Sequence, residues 1–282
     1  MFNSPKKLFF IGSLLLLIAI LAFFIHRHNL AVYTANLDTR SFNAGVCRPV
    51  NSVEPATISE HQERLIAAAI YEGLLCYDAK SGELQPRLAR KWKYSSDGKT
   101  LTIHLKENIK FHNGKKLTAG EVKSAWEKSF SESKEWSNIS LFLSIVGSNA
   151  MLDGYKKEIS GIQVVNDGTL KIVFDQPNTA FTYMLTSPVF WVYDSSAENS
   201  PAPGTGPYLL KEKQEDKDFL LLRNEKYHRG MPRLAAINVR IYDDEMTALE
   251  DYKSGKLDYL DSIPFNQLKA IKKDPQYKKL YL

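Results

Sequence analysis

Twice in this chain an apolar–polar alternation runs into an Asp-Gly turn and resumes beyond it. Trp92 to Tyr94 and Thr100 to Leu105 flank Ser95-Ser96-Asp97-Gly98. Ile162 and Val164 lead into Asn166-Asp167-Gly168, followed by Leu170, Ile172 and Phe174. Alternation sends every second side chain to one face of a strand, and a short link of this type turns the chain back antiparallel. Two β-hairpins, each with one buried face, are therefore fixed points of the fold. A third strand pair is expected around Tyr208–Lys211 and Phe219–Arg223, a further strand at Ile237, Val239 and Ile241, and a short one from Leu257 to Leu260.

Helix signals stand between these strands. Ser59-Glu60-His61-Gln62 fits a capping box, with Leu65, Ile66, Ala69 and Ile70 following at helical spacing and Gly73 expected to close the helix. Thr118-Ala119-Gly120-Glu121 fits a second box and opens a helix lined on one side by Val122, Ala125, Trp126 and Phe130. Asn113-Gly114 marks a turn. Met246, Leu249 and Tyr252 predict a helix ended by Gly255, and Pro264 is expected to start a last one. The order lacks the regular strand–helix alternation of a parallel sheet, so the class is α+β.

Charge excludes a nucleic-acid role. Of the formal net +5, residues 1–28 carry +3 through Lys6, Lys7 and Arg27, which leaves +2 for all the rest. No basic stripe of the kind that neutralises phosphates exists. The local run Lys269, Lys272, Lys273, Lys278 and Lys279 reads as a solvated helix face. Catalytic constellations are missing too, and the chain reads as a non-enzyme without cofactor or metal. No G-x-S-x-G occurs. His61-Gln62-Glu63-Arg64 lacks the second histidine of a zinc-protease motif. Gly204-Thr205-Gly206 leads into a strand rather than a phosphate-binding helix. Asp243, Asp244 and Glu245 precede a helix, where acids cap and favour the positive dipole end. Cys47 and Cys76 fit either a disulfide or two buried thiols.

At the start, Lys6 and Lys7 precede an uncharged run from Leu8 to Ile25, 18 residues closed by His26, Arg27 and His28. That length is near the minimum for a bilayer span, about 17–25 residues, and exceeds a usual signal-peptide core of about 7–15. An uncleaved signal anchor is favoured over a cleaved signal peptide. The positive flank keeps the N-terminus inside and sends the rest out. Residues 29–39 then serve as a tether.

Four ordered segments carry a resemblance. Tyr71-Glu72-Gly73-Leu74-Leu75 is followed by Gly82-Glu83-Leu84-Gln85-Pro86-Arg87-Leu88-Ala89 and Trp92. Next come Asp97-Gly98-Lys99-Thr100 with Ile103-His104-Leu105-Lys106, then Lys110-Phe111-His112-Asn113-Gly114-Lys115-Lys116-Leu117-Thr118-Ala119. Last, Gly204-Thr205-Gly206-Pro207-Tyr208 precedes Arg223-Asn224-Glu225-Lys226-Tyr227. From about Phe42 onward the chain resembles the family 5 solute-binding proteins, the dipeptide, oligopeptide and nickel receptors of ABC importers. Ile145-Val146-Gly147-Ser148, Asp153-Gly154 and Ile159-Ser160-Gly161-Ile162 resemble an insertion of the oligopeptide receptors.

The resemblance implies a periplasmic-binding-protein-like two-lobed clamp that closes on its ligand. Residues 40–72 and 190–282 would form the large lobe and residues 73–189 a smaller inserted domain. It implies peptide capture outside the cytoplasmic membrane, at the cell surface or in the periplasm, for an ABC importer permease. Ser59, Glu60, His61, Glu63 and Trp136 would border the cleft. Family members continue through a second lobe and return to complete the first, segments not present before Leu282. The expectation is an incomplete large lobe with an open sheet edge or exposed apolar surface. A fragment, one half of a two-part receptor, and a reduced anchored binding or scaffolding module all stay open.

Overall fold

The computed structural model describes residues 40–78, 80–214 and 218–274. The apolar run Leu8 to Ile25, its anchoring role and the 29–39 tether lie outside the described residues. In chain order the first elements are β1 (Ser41–Val46), α1 (His61–Ile70), β2 (Leu75–Asp78), β3 (Glu83–Pro86), β4 (Ala89–Tyr94) and β5 (Thr100–Leu105). There follow α2 (Ala119–Glu132), α3 (Trp136–Ser140), α4 (Ser148–Leu152), β6 (Ile162–Asn166), β7 (Thr169–Val173) and α5 (Phe181–Met184). The last are β8 (Tyr208–Gln214), β9 (Asp218–Arg223), β10 (Ala236–Ile241), α6 (Glu245–Lys253), β11 (Tyr259–Leu260) and α7 (Leu268–Lys273).

The alternating segments pair as hairpins. β4, β5, β7 and β6 form one antiparallel sheet in that order, and Leu101, Ile103, Leu170 and Ile172 are fully buried on its inner face. β2 and β3 make a separate hairpin. The third expected pair, β8 and β9, belongs to a five-stranded mixed sheet, ordered β11-β1-β10-β9-β8. There β1 runs parallel to β10 and β11, while β10, β9 and β8 are antiparallel. Parallel neighbours need long crossovers, which is why the first strand meets β10 nearly two hundred positions later in sequence.

α2 forms as its signals predict. Thr118 accepts the Glu121 N–H at 3.3 Å as N-cap, and Val122, Ala125, Trp126 and Phe130 are all buried. Trp126 donates its indole N–H to Phe190 O at 2.8 Å and meets that ring edge-on at 5.2 Å. Phe142 and Phe181 close on the same ring at 4.4 and 5.4 Å. Such aromatic contacts add to simple area burial. They fasten α2 and the four-stranded sheet into one apolar core continuous with the inner face of the five-stranded sheet.

Several expectations move. The N-cap of α1 is Glu60, not Ser59, and the helix ends at Ile70 with Tyr71 as C-cap, two residues before Gly73. Leu65, expected on the buried face, is 41% exposed, and Gln62 and Glu63 are buried in its place. The strand expected from Leu257 is confined to Tyr259–Leu260. A 3-10 turn, Phe265–Gln267, separates Pro264 from α7. Asp244 caps α6, accepting from the Thr247 N–H at 2.7 Å, and these bonds hold its carboxyl below the ordinary value. Cys47 and Cys76 are both free thiols, and burial pushes Cys47 up to about 11.

Candidate functional site

The first turn of α1 is built around Glu63. This side chain is 1% exposed, and its carboxylate accepts four backbone N–H groups: Asn51 at 3.1 Å, Ser52 at 3.3 Å, Ser59 at 3.0 Å and Glu60 at 3.2 Å. A carboxylate near a helix start is favoured by the orphan N–H groups there. Here it also ties the 50–54 loop to the helix. Glu63 is therefore committed inside the protein and is removed from the cleft-bordering set. The expected box begins one residue late: Glu60 is the N-cap and Glu63, not Gln62, is the N3 residue whose side chain reaches back to the N-cap N–H. Ser59, Glu60 and His61 are exposed together on the outer side of this turn.

Trp136 stands on a different element, at the first position of α3. It is 62% exposed, and no residue of that short helix is buried. A core role for this indole is thus ruled out. Among the described residues no hydrogen bond joins it to the α1 turn.

A cavity of about 450 Å³ opens beside α1, between the 50–54 loop, the 199–203 loop and β8. Asn51, Ser52, Glu54, Ser200, Ala202 and Lys211 contribute to its lining. Its size falls within the ~300–1,000 Å³ common to ligand pockets. Sequence reasoning missed it, because its walls come from loops about 150 positions apart.

Behind this surface the recurring motifs converge. Glu72 is 4% exposed and accepts from Tyr227 Oη at 2.6 Å, His228 Nε2 at 2.8 Å and Thr205 Oγ1 at 3.2 Å, with Arg87 Nε at 3.6 Å. One buried carboxylate so joins the Tyr71-Glu72-Gly73 motif to the Gly204-Thr205-Gly206 motif and to the segment after β9. Gly204 and Gly206 serve close approach rather than turning. A Cβ on Gly206 would lie 2.6 Å from the carbonyl oxygens of Ala69 and Ile70, and one on Gly204 would collide with Ile70 O. The Gly206 N–H donates to Ile70 O at 2.9 Å across this contact, and His112 Nε2 donates to Gly206 O at 3.0 Å.

A second buried acid, Asp194, binds the Asn113-Gly114-Lys115 turn. Lys115 Nζ is at 2.8 Å, Asn113 Nδ2 at 2.8 Å and Ser196 Oγ at 2.6 Å. Burial alone would raise this carboxyl. The bonds from Lys115, Ser196 and Asn113 outweigh it and hold the group well below the usual range. Lys115 also reaches Glu121 at 3.0 Å, so the turn is locked to the first turn of α2.

Comparison with known proteins agrees with this architecture. Residues 83–281, more than half of the chain, match the family described as Bacterial extracellular solute-binding proteins, family 5 Middle. The dipeptide-binding protein DppE of Bacillus subtilis is 28% identical over 200 residues, covering 67% of this chain and 37% of that one. The nickel-binding protein NikA of Staphylococcus aureus is 29% identical over 200 residues, 70% and 37% of the two chains. The solved murein tripeptide binding protein MppA of Escherichia coli superposes with a TM-score of 0.77 at 23% identity. That match covers 85% of this chain and 49% of MppA, and it shows the fold. The chain spans about two fifths of the length of these curated relatives and half that of the solved one. It belongs to the bacterial extracellular solute-binding proteins, family 5.

Proposed function

We propose that this chain supplies one side of a ligand cleft that captures peptides outside the cytoplasmic membrane and delivers them to an ABC importer permease. It acts by binding, not catalysis. The exposed α1 turn (Ser59, Glu60 and His61) and Trp136 border the cleft. The five-stranded sheet draws all its strands from residues 40–72 and 190–282, and the other two sheets draw theirs from 73–189. This supports a large lobe and a smaller inserted domain with those bounds. Leu8 to Ile25 tethers the chain to the membrane.

The observation that carries the reading is Trp136. An indole 62% exposed on a helix with no buried residue contributes little to folding. Lone exposed apolar side chains are ordinary on a protein surface; this one supports the reading because it stands where the resemblance to peptide receptors places an aromatic beside the ligand. Peptide capture over other solutes is favoured by the 145–162 segment, which resembles an insertion of the oligopeptide receptors. It packs back on the sheet through the Ile145–Phe174 bridge and the Gly161 N–H to Val146 O bond at 2.7 Å. Calorimetric titration of the full chain with a mixture of short peptides tests the proposal. Saturable heat is expected. A folded sample that gives none would assign capture to a larger assembly and contradict the reading for this chain.

A further inference from the structure

The Gly204-Thr205-Gly206 loop is clamped from two sides. On one side the Gly206 N–H donates to Ile70 O at 2.9 Å, at the end of α1. On the other the His112 N–H donates to Gly204 O at 2.8 Å, and the His112 ring donates to Gly206 O at 3.0 Å. His112 belongs to the turn that the Lys110–Lys116 bridge closes. Its two bonds therefore join the 73–189 stretch to the 190–282 stretch.

A carbonyl oxygen only accepts, so the bond to Gly206 O assigns the proton of the neutral ring to Nε2 and the lone pair to Nδ1. A second proton has to go on Nδ1, which has no hydrogen-bond partner among the described residues. The positive charge it brings is only partly offset. Glu72, from the stretch after α1, is the acid whose charge acts on the ring. Its carboxylate is already taken up by Tyr227, His228, Thr205 and Arg87. Glu54 and Lys211, of opposite sign, line the same cavity as His112. On the ring's own turn, Lys115 and Lys116 are paired with Asp194 and Asp167. Burial pushes the ring below the ordinary histidine value, against the upward pull of the Gly206 bond and of Glu72.

We propose that His112 is an acid-sensitive latch: protonation of its ring loosens the 204–206 loop from the 110–116 turn, and with it the contact between that loop and α1. An opened ring meets water and takes up its proton more readily than the clamped one, so acid favours opening. The clamp contributes in full above about pH 6.5, the ordinary histidine value. That contribution is lost as pH falls below this value, because the folded ring titrates lower. Neither step involves a ligand, so the latch and peptide capture stand or fall separately.

The test is hydrogen exchange of the full chain, read at the His112 and Gly206 amides from about pH 7.5 to about pH 5, either side of the ordinary histidine value. Rates are corrected for the intrinsic effect of pH, with the Val122 amide of α2 as reference. Opening at both amides should rise severalfold in acid while the reference stays level. His112→Gln keeps an N–H that can reach Gly206 O but does not titrate, so it should match wild type at the upper pH and lose the acid rise. An equal acid rise in His112→Gln would overturn the latch. So would a rise abolished by His228→Gln and kept in His112→Gln, which would move the switch to the Glu72 cluster. Should His112→Gln fail to fold, the unmutated chain decides. Exchange that rises in step with protonation of the His112 ring, followed by proton resonance, is the expected result, and exchange that stays flat through that titration would contradict it.

Discussion

The Glu72 junction and the proposed cleft rim of α1 and α3 lie on the same protein, yet they are built by opposite rules. At the junction a buried carboxylate gathers a tyrosine, a histidine, a threonine and an arginine from three distant segments, and two glycines let backbones touch. At the rim Ser59, Glu60, His61 and Trp136 face solvent, and Trp136 has nothing packed over most of its surface. The segments that make the chain recognisable belong to the first region. They identify the architecture because they hold it together, and they say little about the ligand. Residues that meet a solute need no such constraint. That is consistent with one fold serving relatives named for dipeptides and for nickel.

The contrast yields a graded series of expectations. Glu72→Ala should act most strongly, lowering unfolding free energy by about 3–5 kcal/mol, because it strands several buried partners at once. Chemical denaturation checks it, and a change below 1 kcal/mol, on the order of a single ordinary hydrogen bond, would break the contrast.

Asp194→Asn should cost about 1.5–3 kcal/mol through loss of charge-assisted bonds to Lys115 and Ser196. Its pH signature sharpens the point. The folded carboxyl is held below its unfolded value of about 3.9. The stabilisation is therefore complete above that value and is lost as pH falls below it. Acid titration of thermal stability in wild type and Asp194→Asn should converge at the low end. Parallel curves would assign the stabilisation to another group.

Gly206→Ala should cost about 1–3 kcal/mol by overpacking, since the atoms it meets are backbone oxygens that cannot swing away. Thermal unfolding measures it, and an unchanged midpoint would mean that the α1–β8 contact is looser than its geometry. Trp136→Ala comes last in stability, within about 0.5 kcal/mol of wild type as surface changes usually are. It should nonetheless weaken ligand binding by at least about 1 kcal/mol, as loss of an aromatic anchor does.

Much of this fold was legible because its signals are local. Period-two alternation around Asp97-Gly98 and Asp167-Gly168 needs only neighbouring residues, as does the Thr118 cap, and the two hairpins and the cap all form, although Val164, expected on a buried face, is 45% exposed. The start of α1 was displaced by one residue because glutamate is not among the usual N-cap residues, and its use here follows from the burial of Glu63, which only the folded chain shows. The Glu72 cluster was out of reach for a different reason. Its partners lie up to 156 residues away, and nothing local ties a Tyr-Glu-Gly motif to His228. Glu54 went unread as well, since its environment depends on the Ser200–Ala202 loop. Among the rim residues, Trp136 was singled out by its place in the resemblance. Its exposure then became visible only with the helix in view.

The most direct test of this division pairs two readings on one variant, Trp136→Ala: its thermal midpoint and its calorimetric affinity for a short peptide that the wild type binds. An unchanged midpoint with clearly weakened affinity is the predicted result. Unchanged affinity would take Trp136 out of the site, and a collapsed midpoint would make it part of the structural frame; either would contradict the separation of rim from junction.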